Sequence, residues 1–183
     1  MAYVLARTTR LQLRDGQAIT LRPVVPDDRS LFVAAFDSLS PESRYQRFFS
    51  PLTELTPDVL AYLTEVDYRH HFAWVALTGP PRAHWLAGVA RYVRRQESST
   101  AEAAVTVLDP YQGRGLGSLL LDALVGQALE HGITRFEGDV LAENDAVRAI
   151  LDRAGAHLSP DEAAVLHFEL DLPGQLCTEH KGS

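Results

Sequence analysis

A glycine-rich turn between a predicted strand and a predicted helix has the residue types and spacing of a binding site. It reads Gln112-Gly113-Arg114-Gly115-Leu116-Gly117, and Ser118 follows it. The backbone N–H groups that begin a helix have no partner inside the helix, and the positive end of the helix dipole lies there. Glycine removes the side chain that would keep an anion away from this backbone. We therefore predict that a phosphorylated ligand binds at this turn.

Two common phosphate-binding turns do not fit these residues. A nucleoside-triphosphatase P-loop needs a lysine and then a serine or threonine after its last glycine, whereas Gly117 is followed by Ser118 with no lysine. A Rossmann turn needs a third glycine where Ser118 stands, and it lies early in a run of parallel βα units. Too little chain follows this turn for such a run.

The elements around the turn predict a mixed α/β fold. A β-meander precedes the turn, and one β-α-β unit contains it, since the strand after the main helix returns parallel to the strand before it. The helices start at clear capping signals, such as Ser40-Pro41, Thr56-Pro57 and Asn144. A weakly alternating stretch before Gly16 suggests an extra edge strand. The predicted strands comprise residues 18–22, 72–77, 85–93, 101–108, 135–141 and 164–170.

The bulk composition narrows the function classes. The chain has 183 residues, a net charge of -7 and a single cysteine, Cys177. We expect one domain over residues 1–172 and a flexible polar tail over residues 173–183. The negative charge argues against a nucleic-acid partner, and no apolar run is long enough to span a membrane. These features favour a cytoplasmic protein, and they leave a monomer or a homodimer open.

Together, the turn and its surroundings resemble the GNAT superfamily of N-acetyltransferases. Gln112-x-x-Gly115-x-Gly117 matches that superfamily's acyl-CoA signature, and the preceding meander, the following long helix and the next strand are in the expected order. The resemblance covers roughly Ile19 to Leu172. It implies a central, mostly antiparallel twisted sheet in which two parallel strands splay apart, with helices on its flanks.

Two further segments resemble the acetyltransferase domain of bacterial Pat-type protein lysine acetyltransferases. They are residues 39–49, with the sequence LSPESRYQRFF, and residues 66–73, with the sequence VDYRHHFA. Multi-domain members of that group carry a cyclic-nucleotide-binding or CoA-ligase-like regulatory domain, for which 183 residues leave no room. The resemblance implies transfer of an acetyl group from acetyl-CoA to a primary amine, such as a protein lysine.

The resemblance also implies where acetyl-CoA binds. Pantetheine would enter between the splayed strands and pair with backbone near Val107 and Leu108, and a backbone N–H near Val107 would stabilise the oxyanion. Asn144 could hydrogen-bond the pantetheine, cap its helix, or do both. The pyrophosphate would contact the turn itself, at Gln112, Gly113, Arg114, Gly115, Leu116, Gly117 and Ser118.

Glu102 is the candidate general base. A lysine amine is protonated at neutral pH, so acetylation requires a group that removes a proton. Strand alternation puts Glu102, Ala104, Thr106 and Leu108 on one face, and the family commonly has its base on this strand. A water molecule could relay the proton. The tyrosine that often protonates the thiolate in this family is replaced here by Leu151, which leaves that acid unassigned.

The acceptor site is predicted around a short helix with an unusual number of arginines and aromatic residues. Its candidate residues are Arg44, Tyr45, Phe48 and Phe49, which could instead fill core and form surface ion pairs. His70 and His71 are interpreted as loop residues rather than a metal pair, and no metal is expected. Cys177 lacks an activating group nearby, so direct transfer is favoured over a cysteine-linked intermediate.

Two alternatives stay open from the sequence alone. The acceptor could be a small amine, such as an antibiotic or a polyamine, which a narrow acidic pocket would favour. The chain could also be a CoA-sensing or partner-binding module without turnover, because Leu151 replaces the usual acid.

Overall fold

A computed structural model describes residues 3–4, 7–48, 53–80, 83–95, 98–161 and 164–173 of the chain. Phe49, Cys177 and all of the predicted tail except Pro173 lie outside these ranges. Of Phe48, only the backbone is described. The strands are β1 (Thr9–Gln12), β2 (Ala18–Pro23), β3 (His71–Thr78), β4 (Trp85–Arg94), β5 (Thr100–Val107), β6 (Arg135–Leu141), β7 (His157–Pro160) and β8 (Val165–Asp171). The helices are α1 (Arg29–Ser38), α2 (Pro41–Phe48), α3 (Pro57–Thr64), α4 (Leu116–Glu130) and α5 (Asp145–Ala154).

The eight strands form one sheet in the order β1-β2-β3-β4-β5-β6-β8-β7. Among the described strands only β5 and β6 are parallel, because α4 carries the chain back across the sheet between them. The other neighbours are antiparallel. The predicted mixed α/β class, the meander and the parallel pair are therefore confirmed.

Each face of the sheet centre has its own apolar core. On one face α4 packs through Leu120 and Leu124, which are fully buried, against residues such as Phe72 and Tyr92. The indole of Trp74 donates a hydrogen bond to the Ala123 carbonyl at 3.0 Å and ties this helix to β3. On the other face α1 and α3 pack on β3 and β4. This second face also contains Glu102.

The predicted helix starts are present, with capping bonds at Ser40, Thr56 and Asn144. The Ser40 Oγ accepts from the Ser43 N–H at 3.1 Å, and the Thr56 Oγ1 accepts from the Val59 N–H at 3.3 Å. A 3₁₀ turn over Pro26–Asp28 precedes helix α1. The buried Asp28 carboxylate accepts hydrogen bonds from the two terminal guanidinium nitrogens of Arg22, at 2.6 and 2.8 Å. This ion pair fixes the turn.

Two sequence interpretations need correction. Strand β7 was not predicted, since four residues ending in Pro160 carry little strand signal. His71 is the first residue of β3 rather than a loop residue. Among the described residues no helix is both long and apolar enough to cross a membrane.

Candidate active site

The parallel strands β5 and β6 separate soon after they meet. Their pairing comprises only Thr100 with Arg135, Ala101 with Phe136 and Glu102 with Glu137, although β5 continues to Val107 and β6 to Leu141. A cleft therefore opens between the C-terminal halves of the two strands. An open strand edge can pair with an extended ligand.

The backbone of β5 has groups directed into this cleft. The Leu108 N–H donates to the Ala87 carbonyl of β4 at 3.0 Å, and backbone groups of alternate strand residues point to opposite sides. The N–H and carbonyl groups of Val105 and Val107 therefore face β6. The Val107 carbonyl accepts from the Gln112 side chain at 3.1 Å. Both backbone groups of Leu108 are hydrogen-bonded within the protein, because its N–H donates to Ala87 and its carbonyl accepts from the Tyr111 N–H at 2.8 Å.

The glycine-rich turn has the backbone that the sequence predicts for an anion cradle. Gly113 and Gly115 adopt left-handed conformations, with φ of 71° and 86°. Gly115 is the N-cap of α4 and has no side chain to cap the helix, so its first N–H groups stay open to a ligand. A Cβ on Gly117 would lie 2.5 Å from the Ile150 Cδ1 atom, so glycine also permits the contact of α4 with α5.

Two arginines that the sequence analysis missed lie beside this turn. The Arg14 Nε atom would be 3.3 Å from a Cβ on Gly115, and Arg153 donates to the Ser118 Oγ at 3.4 Å. Arg114 donates to Asp15 at 2.8 Å and to Gln17 at 3.1 Å, and its role in cofactor binding stays a prediction. Arg14 and Arg153 thus add positive charge beside the start of α4.

Glu102 lies exposed at the start of β5, opposite Val93 of β4 and beside Glu137 of β6. It lines a cavity of about 220 Å³ between the sheet and α3. Tyr62 and Arg91 are the other polar side chains of this cavity, and the remaining walls are Val59, Leu63, Val93, Ala103 and Ala104. The cavity thus combines one carboxylate with mostly apolar walls.

Arg91 and His71 form a polar pair in this region. Arg91 is only 3% exposed and donates to the Leu63 carbonyl at 2.9 Å and to the Tyr62 carbonyl at 3.3 Å, at the C-terminal end of α3. The Arg91 guanidinium also lies 3.2 Å from the Nε2 atom of His71. Since arginine only donates, this nitrogen must accept. Burial, and then the Arg91 charge, lower the pKa of His71 to about 4, so His71 is neutral at neutral pH.

A second cavity, of about 50 Å³, lies on the same face towards the other end of β5. Leu63 and Arg91 line both cavities, and Thr106 and Leu108 contribute from β5. The rest of its lining is hydrocarbon or aromatic and comes from α1 and Leu39 directly after it, from Leu55 before α3, and from β4.

Among the predicted acceptor residues, Arg44 and Tyr45 have described side chains, and these line neither cavity. The Arg44 guanidinium stacks on the Phe36 ring at 4.4 Å and donates to the Asp37 carbonyl at 3.2 Å, while Tyr45 is 45% exposed. Helix α2 is linked to the cofactor turn through Asp109, which accepts from the Ser43 Oγ at 2.6 Å and from Gln112 at 3.1 Å. The acceptor role of Arg44, Tyr45, Phe48 and Phe49 stays a prediction.

Two roles were predicted for Asn144, and the structure shows one of them at the start of helix α5. The Asn144 Oδ1 atom accepts from the Val147 N–H at 3.1 Å, so Asn144 caps the helix. Leu151 is buried, with 4% exposure, and belongs to the core. In the described residues, no group of three or more His, Cys, Asp or Glu side chains is arranged to hold a metal ion.

Comparisons with known proteins agree with this geometry. The profile of the Acetyltransferase (GNAT) family matches residues 33–156. Acetyltransferase Pat of Mycolicibacterium smegmatis is 41% identical over 164 residues, which cover 89% of this chain and 48% of the relative. Acetyltransferase PA5475 of Pseudomonas aeruginosa is 32% identical over 158 residues, or 85% of each protein. The crystal structure of the GNAT domain of S. lividans PAT has a TM-score of 0.82 at 29% identity, covering 90% of this chain and 97% of that domain.

The chain belongs to the GNAT family of acetyltransferases, and it is similar to Pat. Acetyltransferases of this family use acetyl-CoA. The chain spans about half the length of M. smegmatis Pat.

Proposed function

We propose that this protein transfers the acetyl group of acetyl-CoA directly to a protein lysine side chain, with Glu102 as the general base. The observation that carries the proposal is the position of Glu102. It lines a mostly apolar cavity at one end of β5, and the other end of the same strand borders the cleft and the open start of α4. One strand thus connects a base with a phosphate cradle.

The residues of the cleft fit acetyl-CoA. Gly113 and Gly115 turn the backbone so that the first N–H groups of α4 can hold a pyrophosphate, and Arg14 and Arg153 add positive charge beside them. The open edge of β5 would pair with the pantetheine amides. When bound, acetyl-CoA supplies an acetyl group activated as a thioester.

Val105 joins Val107 as a candidate oxyanion donor. Both have an N–H directed into the cleft, as their alternation with Leu108 requires. Val105 is three residues from Glu102 and Val107 is five, which in an extended strand correspond to distances of about 10 Å and about 17 Å. Val105 is therefore the nearer of the two to Glu102, and a backbone N–H there would polarise a carbonyl oxygen close to the acceptor cavity.

The acceptor cavity suits the side chain of a lysine. Its volume of about 220 Å³ is below the roughly 300–1,000 Å³ of sites that enclose drug-sized molecules. Val59, Leu63 and Val93 offer apolar contact to four methylene groups, and Glu102 offers a carboxylate to the terminal ammonium. A polyamine, with several charges along its length, would meet mostly hydrocarbon walls.

Glu102 performs the proton transfer that the reaction needs. A lysine ammonium has a pKa of about 10.4 and is not nucleophilic, so a proton must leave before the nitrogen can react. Glu102 accepts this proton, directly or through one water molecule. With Leu151 buried where the usual acid would be, solvent returns a proton to the CoA thiolate.

Replacement of Glu102 by glutamine tests the base directly. We expect Glu102→Gln to lower kcat at pH 7.5 by at least about 100-fold, because the side chain keeps its shape but cannot accept the proton. The dissociation constant for acetyl-CoA should stay within about twofold. The assay measures thiol release with lysine peptides, and amide formation is verified by mass spectrometry.

Glu137→Gln is the matched control, because Glu137 is the cross-strand partner of Glu102 on β6. This variant should keep near-normal turnover. Unchanged turnover of Glu102→Gln, or an equal loss in both variants, would overturn the assignment. A panel of peptides and small amines tests the acceptor, and a strong preference for free small amines would reject the protein-lysine proposal.

A further inference from the structure

Tyr62 lies at the mouth of the cavity beside Glu102. It lines this cavity from α3, and 49% of its surface is exposed, whereas Leu63 and Arg91, which line the same cavity, are buried. The cavity walls themselves suit a lysine side chain. A group that contacts the exposed part of Tyr62 therefore lies outside the cavity, where the residues next to the acceptor lysine would be.

The Tyr62 ring is held in place by two side chains of the sheet. The His71 ring lies 5.0 Å from it between ring centroids, and the Arg91 guanidinium carbon lies over the Tyr62 ring, 5.4 Å from its centroid. Arg91 also donates to the Tyr62 carbonyl at 3.3 Å. A ring that is fixed before binding offers a large contact area at little cost in conformational entropy. Tyrosines are frequent among the residues that dominate the binding energy at interfaces.

The surroundings of Tyr62 favour an apolar group over a charged one. In the sheet order β4-β5-β6, Glu137 of β6 lies on one side of Glu102, and β4, on which α3 packs, lies on the other. On the α3 side, a cation against Tyr62 would be repelled by the buried charge of Arg91, and an anion would be repelled by Glu102. An apolar side chain meets neither repulsion and buries hydrocarbon against the ring.

We propose that Tyr62 selects acceptor proteins by contacting a large apolar side chain directly next to the acceptor lysine. This inference rests on the proposed function and narrows its substrate class to lysines with an apolar neighbour. Tyr62 binds the acceptor without touching the reacting atoms, so its contact is equally strong before and during the reaction. Loss of such uniform binding raises KM for the acceptor and leaves kcat unchanged.

Pairs of peptides test this contact against a general structural effect. Each pair has leucine or glycine directly before the lysine, or directly after it, in an otherwise identical sequence. At saturating acetyl-CoA, we expect the complete chain to have a kcat/KM at least about threefold higher for leucine than for glycine in one of the two pairs. This preference should disappear in Tyr62→Ala, through KM, and should persist in Tyr62→Phe, which keeps the ring. A purely structural defect would instead lower kcat/KM for both peptides of a pair by the same factor.

Trp85→Ala is the matched control. Trp85 is another exposed aromatic residue, with 61% exposure, but it lies at the opposite end of β4 from Val93 and lines neither of the two cavities. This variant should keep the wild-type preference for leucine. Tyr62→Gln gives a second answer if Tyr62→Ala fails to fold, because glutamine suits an exposed helix position and lacks the ring. An unchanged dissociation constant for acetyl-CoA shows that each variant is folded.

The inference and the proposed function fail in different ways. If no lysine peptide is acetylated, the proposed function fails, and the inference fails with it. If lysine peptides are acetylated but the wild type shows no preference for leucine in either pair, or Tyr62→Ala keeps that preference, the inference alone is overturned. In the second case, loss of the preference in Tyr45→Ala would place the contact on α2.

Discussion

At the residue scale, Arg91 is a side chain of the cavity beside Glu102 that the sequence did not reveal. An arginine in a central strand gives no local sign of its partners. Those partners are carbonyls at the end of α3, 28 and 29 residues earlier, and the ring of His71, 20 residues earlier. The packing of α3 on β4 and the pairing of β3 with β4 bring them together. The charge of Arg91 is also favourable at the negative end of a helix.

His71 makes the stability of this region depend on pH. Burial and the charge of Arg91 hold the pKa of His71 at about 4, compared with 6.5 in an unfolded chain. Between these values the unfolded chain binds a proton that the folded chain does not, so acidification favours unfolding. We expect the urea midpoint to fall as the pH decreases from 6.5 towards 4, and to fall less in His71→Gln.

The comparison with His71→Gln isolates this group. Burial also lowers the pKa of His131, and a hydrogen bond to Asp139 raises the pKa of His167, but both histidines are present in both proteins. Urea unfolding at pH 7.5 and pH 5 measures the difference. An identical shift of the midpoint in the two proteins would contradict the role of His71.

At the scale of elements, the parts of the site that are local in sequence could be predicted, and the parts that depend on packing could not. The turn from Gln112 to Gly117 and the helix after it form one continuous segment, so residue types alone indicate the anion cradle. The two cavities combine α3, β4 and β5, which no spacing rule connects. Residue types alone therefore do not indicate the cavity beside Glu102, which is lined by α3, β4 and β5, and the acceptor role of the α2 residues stays a prediction.

Gly138 lies where β5 and β6 begin to separate, and its substitution should disturb that separation. A Cβ at this position would be 2.9 Å from the Ala103 carbonyl oxygen and 2.8 Å from the Phe168 ring. Because one of these neighbours is backbone, the strands must move. We expect Gly138→Ala to destabilise the protein by about 1–3 kcal/mol and to weaken acetyl-CoA binding, as measured by chemical denaturation and calorimetry.

Gly126→Ala is the control for this substitution. Gly126 lies in the interior of α4, with nothing within 4 Å of the added Cβ. Alanine there should stabilise the protein by about 0.4–1 kcal/mol through the lower entropy of the unfolded chain. If the two variants had equal stability, the close approach at Gly138 would not constrain the strands.

At the scale of the whole molecule, charge and topology place acidic groups next to the candidate base. Cross-strand pairing aligns Glu102 of β5 with Glu137 of β6 and Glu169 of β8, so the three carboxylates share a sheet face. The chain as a whole carries a net charge of -7. The total charge follows from the sequence, but the alignment of the three glutamates depends on the register of three strands that are distant in sequence.

The negative electrostatic potential of these carboxylates should attract acceptors in which basic residues flank the lysine. At saturating acetyl-CoA, we expect kcat/KM for a peptide with neighbouring lysines or arginines to exceed that for a peptide with neighbouring acids. We also expect it to fall several-fold as salt rises from about 0.01 to 0.15 M, because the Debye length shrinks from about 30 to 8 Å. At saturating peptide, kcat should change little, since steering acts on encounter and not on proton removal. A kcat/KM that is independent of salt, or a preference for the acidic peptide, would mean that contacts within the acceptor cavity alone select the substrate.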